Sequence, residues 1–268
     1  MPELPEVETV RRTLERQLKD VEIVDVNVRY AKTVENDCGE FCERVRGEVF
    51  RSFERRGKYL LLRTDHELLS VHLRMEGKFY IQQPMDEMNR HMHVIFTLKD
   101  GRELRFHDTR KFGRMRLLDY NTDLTHFHDL GPEPFQEEFN GQYVYEKCHE
   151  RRIPVKSLLL EQSFVAGIGN IYASEILYAA GIRPGRSTSR ITHRGADDIA
   201  FYTKRILAQA IEAGGTTIRS YTSSLGVTGR FQLSCAAYGQ KVCEKCGGPI
   251  HIKVIGGRSS YYCPNCQK

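Results

Sequence analysis

Val7, Val10, Leu14 and Leu18 recur at helical spacing along one face, and Pro5 suits the first turn of a helix of about four turns. Packed on a core, such a helix holds the start of the chain in place. Val24, Val26, Val28 and Tyr30 then alternate, which predicts a half-buried strand. Cys38, Phe41, Cys42 and Val45 return to i, i+3, i+4, i+7 spacing, a short helix whose two thiols read as core packing. From Val49 to Tyr120 the pattern is strand after strand. Segments 50–63, 68–74, 79–82, 93–98, 103–107 and 115–118 are the candidates, with Lys99-Asp100-Gly101-Arg102 as a hairpin turn. Many short strands flanked by a few helices predict a sandwich or barrel-like β domain. Leu130-Gly131-Pro132-Glu133-Pro134 is the clearest breaker cluster and marks a domain boundary. Beyond it the period is helical: 143–152, 154–162 and 170–180 form three segments. Ile199, Tyr202, Ile206 and Ala210 mark a fourth, stopped by Gly214-Gly215.

Composition narrows the class. The 268 residues suffice for one large or two medium domains. Apolar and charged fractions of 40% and 28% are those of a soluble globular chain. No apolar run reaches transmembrane length, and the charged start is no signal peptide, so a cytoplasmic protein without a membrane partner is expected. A net charge of +5 is compatible with nucleic acid without requiring it. Eight cysteines in such a chain argue against a disulfide framework and for a metal.

Four local patterns carry chemistry. Cys243-x-x-Cys246 and Cys263-x-x-Cys266, sixteen residues apart, have the spacing of a zinc ribbon. Four thiolates close the coordination sphere, so one structural Zn²⁺ is expected, with no catalytic role. Between the pairs a hairpin would present Arg258 at its tip, as a phosphate ligand or as a plain surface arginine. Val165-Ala166-Gly167-Ile168-Gly169-Asn170 is a glycine-rich turn feeding a helix, beside Arg151, Arg152 and Lys156, and reads as a phosphate site. Arg55-Arg56-Gly57-Lys58 enters an apolar strand. Lys58 is there either an acid–base group with a lowered pKa or the edge of a basic strand. Last, a methionine before a small residue is normally trimmed, which leaves Pro2 with a free secondary amine. Its ordinary pKa of about 7.7–8.0 leaves a useful neutral fraction that can attack an aldehyde-like carbon. Glu3 and Glu6 are near enough to serve that amine as proton donor and orienting acceptor. Taken alone, Pro-Glu-Leu-Pro-Glu reads better as an extended helix lead-in, since termini are usually functionless, and the rest of the chain has to change that reading.

Together these residues carry a resemblance. The chain resembles the bacterial formamidopyrimidine-DNA glycosylase family over essentially its full length. The matching pieces are PELPEVET, RRGKYLLL around Lys58, HLRMEG at Met75, DTRKFG at Arg110, LGPEP, AGIGNIYASEIL at Asn170, GGTTIRSY at Thr216 and GGRSSYYCPNCQK at the end. The resemblance implies an α+β, two-domain fold. An N-terminal helix-flanked antiparallel β-sandwich (1–134) precedes a helix–two-turn–helix domain (135–230) and a zinc finger (231–268). It implies a bifunctional base-excision repair enzyme, glycosylase and abasic-site lyase, acting as a monomer on duplex DNA that contains damaged purines or abasic sites. Pro2, Glu3, Lys58 and Arg258 would be its catalytic residues. His91, Arg110, Arg152 and Asn170 would contact DNA, with Met75 and Phe112 filling the gap left by a flipped nucleotide. The chain departs from the family pattern at Cys235, at Ser259-Ser260 and in a shorter segment before the cysteines, which bears on the damaged-base loop at 216–229.

Three other readings compete. Endonuclease VIII, a relative acting on oxidised pyrimidines, is disfavoured by PELPE and by the Met75, Arg110 and Phe112 set. A non-catalytic DNA-binding module explains 135–268 but leaves Pro2, Glu3 and Lys58 idle. A purely structural zinc protein leaves the lysine and the N-terminal set unexplained.

Overall fold

The computed structural model describes residues 1–124, 127–215 and 235–268. The chain forms two compact units, Met1–Thr125 with Gly214–Gly229 and His126–Ala213 with Arg230–Lys268.

The first unit holds helix α1 (Leu4–Leu18), strand β1 (Ile23–Val28), helix α2 (Cys38–Val45) and strands β2 (Ser52–Arg56), β3 (Tyr59–Arg63), β4 (Glu67–His72), β5 (Lys78–Gln82), β6 (Met92–Leu98), β7 (Glu103–His107) and β8 (Arg114–Asp119). They make two antiparallel four-stranded sheets, in the orders β1-β6-β7-β5 and β2-β3-β4-β8. Phe79, Phe96 and Phe106 of one sheet and Leu60, Leu62, Val71 and Met115 of the other share a single core. That is a sandwich. Val7, Val10, Leu14 and Leu18 of α1 and Phe41 and Val45 of α2 enter the same core, with Cys38 and Cys42 packed at its margin.

Two strand expectations change. The segment 50–63 reads as one strand, but Arg56 pairs with Tyr59 across a two-residue turn, so it is a hairpin. Gly57 makes the turn possible: its φ is +57°, where a side chain is strained. In β1 the register shifts between Ile23 and Asp25. That bulge turns Val24 outward, so Ile23 and Val26, not every second valine, face the core.

The second unit holds α3 (Gly141–His149), α4 (Val155–Leu160), α5 (Asn170–Ala179), α6 (His193–Glu212) and the hairpin β9 (His251–Ile255) and β10 (Arg258–Tyr262). Asn140 and Thr192 cap α3 and α6 through side-chain oxygens. Helix α5 is buried from Ile171 to Tyr178, and is the element on which this unit packs. Among the described residues, no helix is long and apolar enough to cross a membrane.

Candidate active site and phosphate-binding elements

Pro2 is buried, and Glu3 and Glu6 are each 3% exposed. The Glu3 N–H donates to the Glu6 carboxylate at 2.7 Å, and the Glu3 carboxylate accepts the Glu6 N–H in return. The two acids therefore do start the helix. They also enclose the terminus. With Met1 in place, burial holds the terminal amine below its ordinary 8.0. The Lys58 charge acts in the same direction, and Glu3, Glu6 and Glu76 oppose it. The sequence argument needs no burial to leave part of a terminal amine neutral; here burial lowers the terminal pKa further.

Lys58 is 5% exposed, so it is no open strand edge. Arg55 braces the turn that carries it. Its Nη1 donates to the Gly57 carbonyl at 3.2 Å and its Nε to Glu8 at 3.2 Å. Glu8 also takes Arg11 and Arg12. Burial pushes the Glu8 carboxyl up, but the hydrogen bonds from Arg11 and Arg12 and the charge of Arg55 outweigh it and leave it below 4.5. Helix α1 and the Lys58 turn are thus one rigid piece. Gly215, with φ +82°, lies against Glu6, where a Cβ would come within 2.9 Å of Oε1. Arg55 and Glu8 lie within quoted motifs, but their pairing does not show in the sequence, because 47 residues separate them.

Met75 lies half-buried between β4 and β5, and Arg110 and Phe112 are exposed between β7 and β8. The Thr109 hydroxyl donates to the Glu76 carboxylate and ties these two loops together. Asp108 shapes the second loop. Fully buried, it accepts the N–H groups of Arg110, Phe112 and Gly113 at 2.9, 2.8 and 2.7 Å. The loop throws Phe112 outward, 47% exposed, with the Arg110 guanidinium 4.9 Å from its ring centroid. His91 is half-buried beside His107, with ring centroids 5.7 Å apart. Burial pulls His107 and His93 below 6.5, and the Lys78 charge adds to this at His107.

In the second unit Arg152 is exposed just before α4, and Asn170 is the first residue of α5. Sequence grouping adds Arg151 and Lys156 to a phosphate-facing set, and here the structure differs. Arg151 pairs with Glu161. Lys156 is completely buried, and its ammonium donates to Ser174 Oγ at 3.0 Å and to the Ser259 carbonyl at 3.1 Å. The Asn170 amide donates to that same carbonyl at 3.1 Å. Both residues therefore hold the strand that begins with Arg258, which is exposed. Glu175 is missed by sequence reasoning. On α5 and 4% exposed, it accepts the N–H groups of Ala236, Ala237 and Tyr238 at 2.8, 3.0 and 2.7 Å. Burial raises its pKa, and the three N–H groups only partly offset that. A carboxylate inside the apolar run Ile171–Leu177 was the available signal.

Cys243, Cys246, Cys263 and Cys266 bring their four sulfurs within 4.8 Å of one another. The Cys243–Cys266 and Cys246–Cys263 separations are 3.8 and 3.5 Å. A Zn–S length of about 2.3 Å gives tetrahedral edges of roughly 3.8 Å, so the cluster fits the ion. Tyr178 sits with its hydroxyl 3.1 Å from the Cys243 sulfur. Cys235 is buried apart from this cluster. The loop at 216–229 lies outside the described residues.

Comparison with known proteins places these parts in one family. Family models match in chain order: the formamidopyrimidine-DNA glycosylase N-terminal domain at residues 1–115, its H2TH domain at 130–222, and a zinc finger found in FPG and IleRS at 240–268. The formamidopyrimidine-DNA glycosylase of Bacillus licheniformis is 43% identical, with all of both chains covered. That of Bacillus subtilis is 41% identical over 100% of this chain and 99% of its own. Among solved structures, a Lactococcus lactis FPG mutant with DNA containing Fapy-dG matches with a TM-score of 0.95 at 34% identity, covering 100% of each chain. The Lactococcus lactis Fpg with DNA containing an abasic site matches with a TM-score of 0.94 at 34% identity over 99% of each. The four cysteines are accordingly the ligands of one structural zinc. With every segment of the fold matched in order and over its full length, the chain belongs to the formamidopyrimidine-DNA glycosylase family.

Proposed function

We propose that this chain excises oxidised purines, 8-oxoguanine and formamidopyrimidines, from duplex DNA and then cleaves the strand by β- and δ-elimination. The observation that carries the reading is the enclosed terminus: an amine at the start of α1, beside Glu3, Glu6 and the buried Lys58. Once Met1 is removed, the Pro2 nitrogen attacks C1′ of the damaged nucleotide. Glu3 protonates the sugar oxygen as the ring opens, and the base departs. The resulting iminium acidifies the C2′ proton, whose loss expels the 3′ phosphate, and a second elimination expels the 5′ phosphate. A secondary amine makes this iminium without a proton to lose from nitrogen, so it stays cationic and a strong electron sink. Lys58 exchanges protons near the phosphate and base.

Arg258, Asn170 and Arg152 grip phosphates, and His91 contacts the strand. Met75, Arg110 and Phe112 occupy the gap left by the flipped nucleotide, offsetting an unstacking cost of a few kcal/mol. In this division 1–134 carries the chemistry, 135–230 holds DNA, and the zinc finger at 231–268 presents Arg258. The zinc takes no chemical step.

Borohydride trapping on a duplex containing 8-oxoguanine, followed by peptide mass spectrometry, tests this. The expected result is strand cleavage with the adduct on Pro2, and neither event in protein that retains Met1. Full activity from a blocked terminus would overturn it.

A further inference from the structure

A groove of about 520 Å³ lies between the Arg183–Arg190 segment and the cysteine hairpin. Arg183, Arg186, Arg190, Lys253 and Lys268 line it, and no Asp or Glu does. Among the described residues none of the five forms an ion pair. Elsewhere Arg11, Arg44, Arg51 and Arg63 each hold a carboxylate at 2.6 to 2.8 Å. Two of the guanidinium groups are instead fixed by backbone carbonyls. Arg183 donates to Gln267 and Pro264, each at 2.8 Å, and Arg186 to Arg190 at 3.1 and 3.2 Å. Carbonyls orient a cation without neutralising it. Unneutralised like charges crowded on one wall repel one another, and an anion relieves that repulsion.

The hairpin links this groove to Arg258. Arg258 pairs with Ile255, Ser260 with Lys253 and Tyr262 with His251. Side chains of paired residues share a face, and that face recurs every second residue. Arg258 therefore projects from the same face as Lys253, Ile255 and Tyr262, three residues of the groove wall. We propose that the groove is a second phosphate-binding segment, which engages the backbone of the flanking duplex beyond the phosphates gripped by Arg258. This rests on the DNA-repair reading above. A free polyphosphate offers the same chemistry, but an open groove in line with Arg258 suits a continuous strand.

The test uses the zinc-loaded full chain and its Arg190→Gln/Lys253→Gln double variant. Binding is measured against salt on two duplexes with a central abasic-site analogue: one ends a few base pairs from it, the other continues for a further helical turn on both sides. The wild type should show the steeper salt slope on the long duplex. The variant should lose about two units of that slope, at ~0.9 per phosphate contact, and bind the short duplex as the wild type does. Its single-turnover excision from a duplex of the short length that carries 8-oxoguanine in place of the analogue should be unchanged. Wild-type slopes independent of length would overturn the proposal, as would equal losses on both duplexes. Tight binding of tripolyphosphate that the variant loses, without any effect of duplex length, would assign the groove to a free anion instead. If the wild type excises nothing from the 8-oxoguanine duplex, the functional reading fails, whereas the length dependence of binding still tests the groove.

Discussion

The terminal amine is pulled below 8.0 mainly by burial, and the Lys58 charge adds to that. We expect the Pro2 amine, once Met1 is trimmed, to be subject to the same burial. The neutral amine is the nucleophile, so kcat/KM should rise with pH and level off above a pKa lower than 8.0. Replacing Lys58 by Met should move that limb to higher pH, because one cause of the depression is gone. A wild-type limb at or above 8 would refute the assignment. Arg110 sets a second expectation. It offers donors only, so it favours an orphaned base that presents acceptors. Cytosine presents O2 and N3, whereas adenine presents N1 beside an amino donor. Excision of 8-oxoguanine should be faster opposite cytosine than opposite adenine, by ~1–3 kcal/mol in the barrier, the scale of a good base contact. Arg110→Ala should narrow the ratio in single-turnover assays; equal wild-type rates would remove Arg110 as the reader.

Two elements hold the chemistry in place, and each can be tested separately. Glu8 locks α1 to the Lys58 turn through Arg55, Arg11 and Arg12. Glu8→Gln removes the charge that Arg55, Arg11 and Arg12 share, although Arg11 keeps Glu15 and Arg55 keeps the Gly57 carbonyl, and should cost about 1–2 kcal/mol, the scale of hydrogen bonds to a charged group. Its folded pKa lies below 4.5, so the stability it contributes is present above the unfolded pKa and lost as pH falls through the folded value. Denaturant unfolding should therefore show the two proteins converging in acid; a constant gap would disprove the role of the charge. The cysteine hairpin depends on metal. Cys263→Ser should lose zinc and DNA binding while the sandwich, which shares no core residue with it, unfolds at an unchanged denaturant midpoint. Zinc-free protein that binds DNA normally would contradict this.

At the scale of the molecule, a net charge of +5 is too small to bind DNA by bulk attraction, so placement of individual cations has to supply the affinity. Arg152→Ala and Arg258→Ala should each flatten the salt dependence of binding by about one unit. Slopes unchanged in both would remove these arginines from the interface.

Periodicity made the helices and most strands legible, because facing one core imposes a local repeat on the residues that face it. The cysteine cluster was legible for a similar reason: a knuckle supplies two ligands from four consecutive residues. Pro2, Glu3 and Lys58 could be singled out as motifs, but not as buried groups. Lys58 reads equally as an exposed edge, and Lys156 as a phosphate ligand; one is enclosed and the other is a strut. Asp108 left almost no signal, and Glu175 only that of a carboxylate inside an apolar run. Arg105 sits in the middle of β7 with no exposure at all, satisfied by Glu103 and by carbonyls of Gln83 and Asp86. Glu175, Lys156 and Arg105 are buried because partners arrive from other parts of the chain, whereas Asp108 is met by N–H groups of its own loop whose geometry no local pattern announces; the cost of an unmet charge makes such partners obligatory. Local sequence determines which faces turn inward and which residues can ligate a metal. Only the tertiary structure decides which charges have partners, and so which lysines are enclosed and which arginines remain exposed.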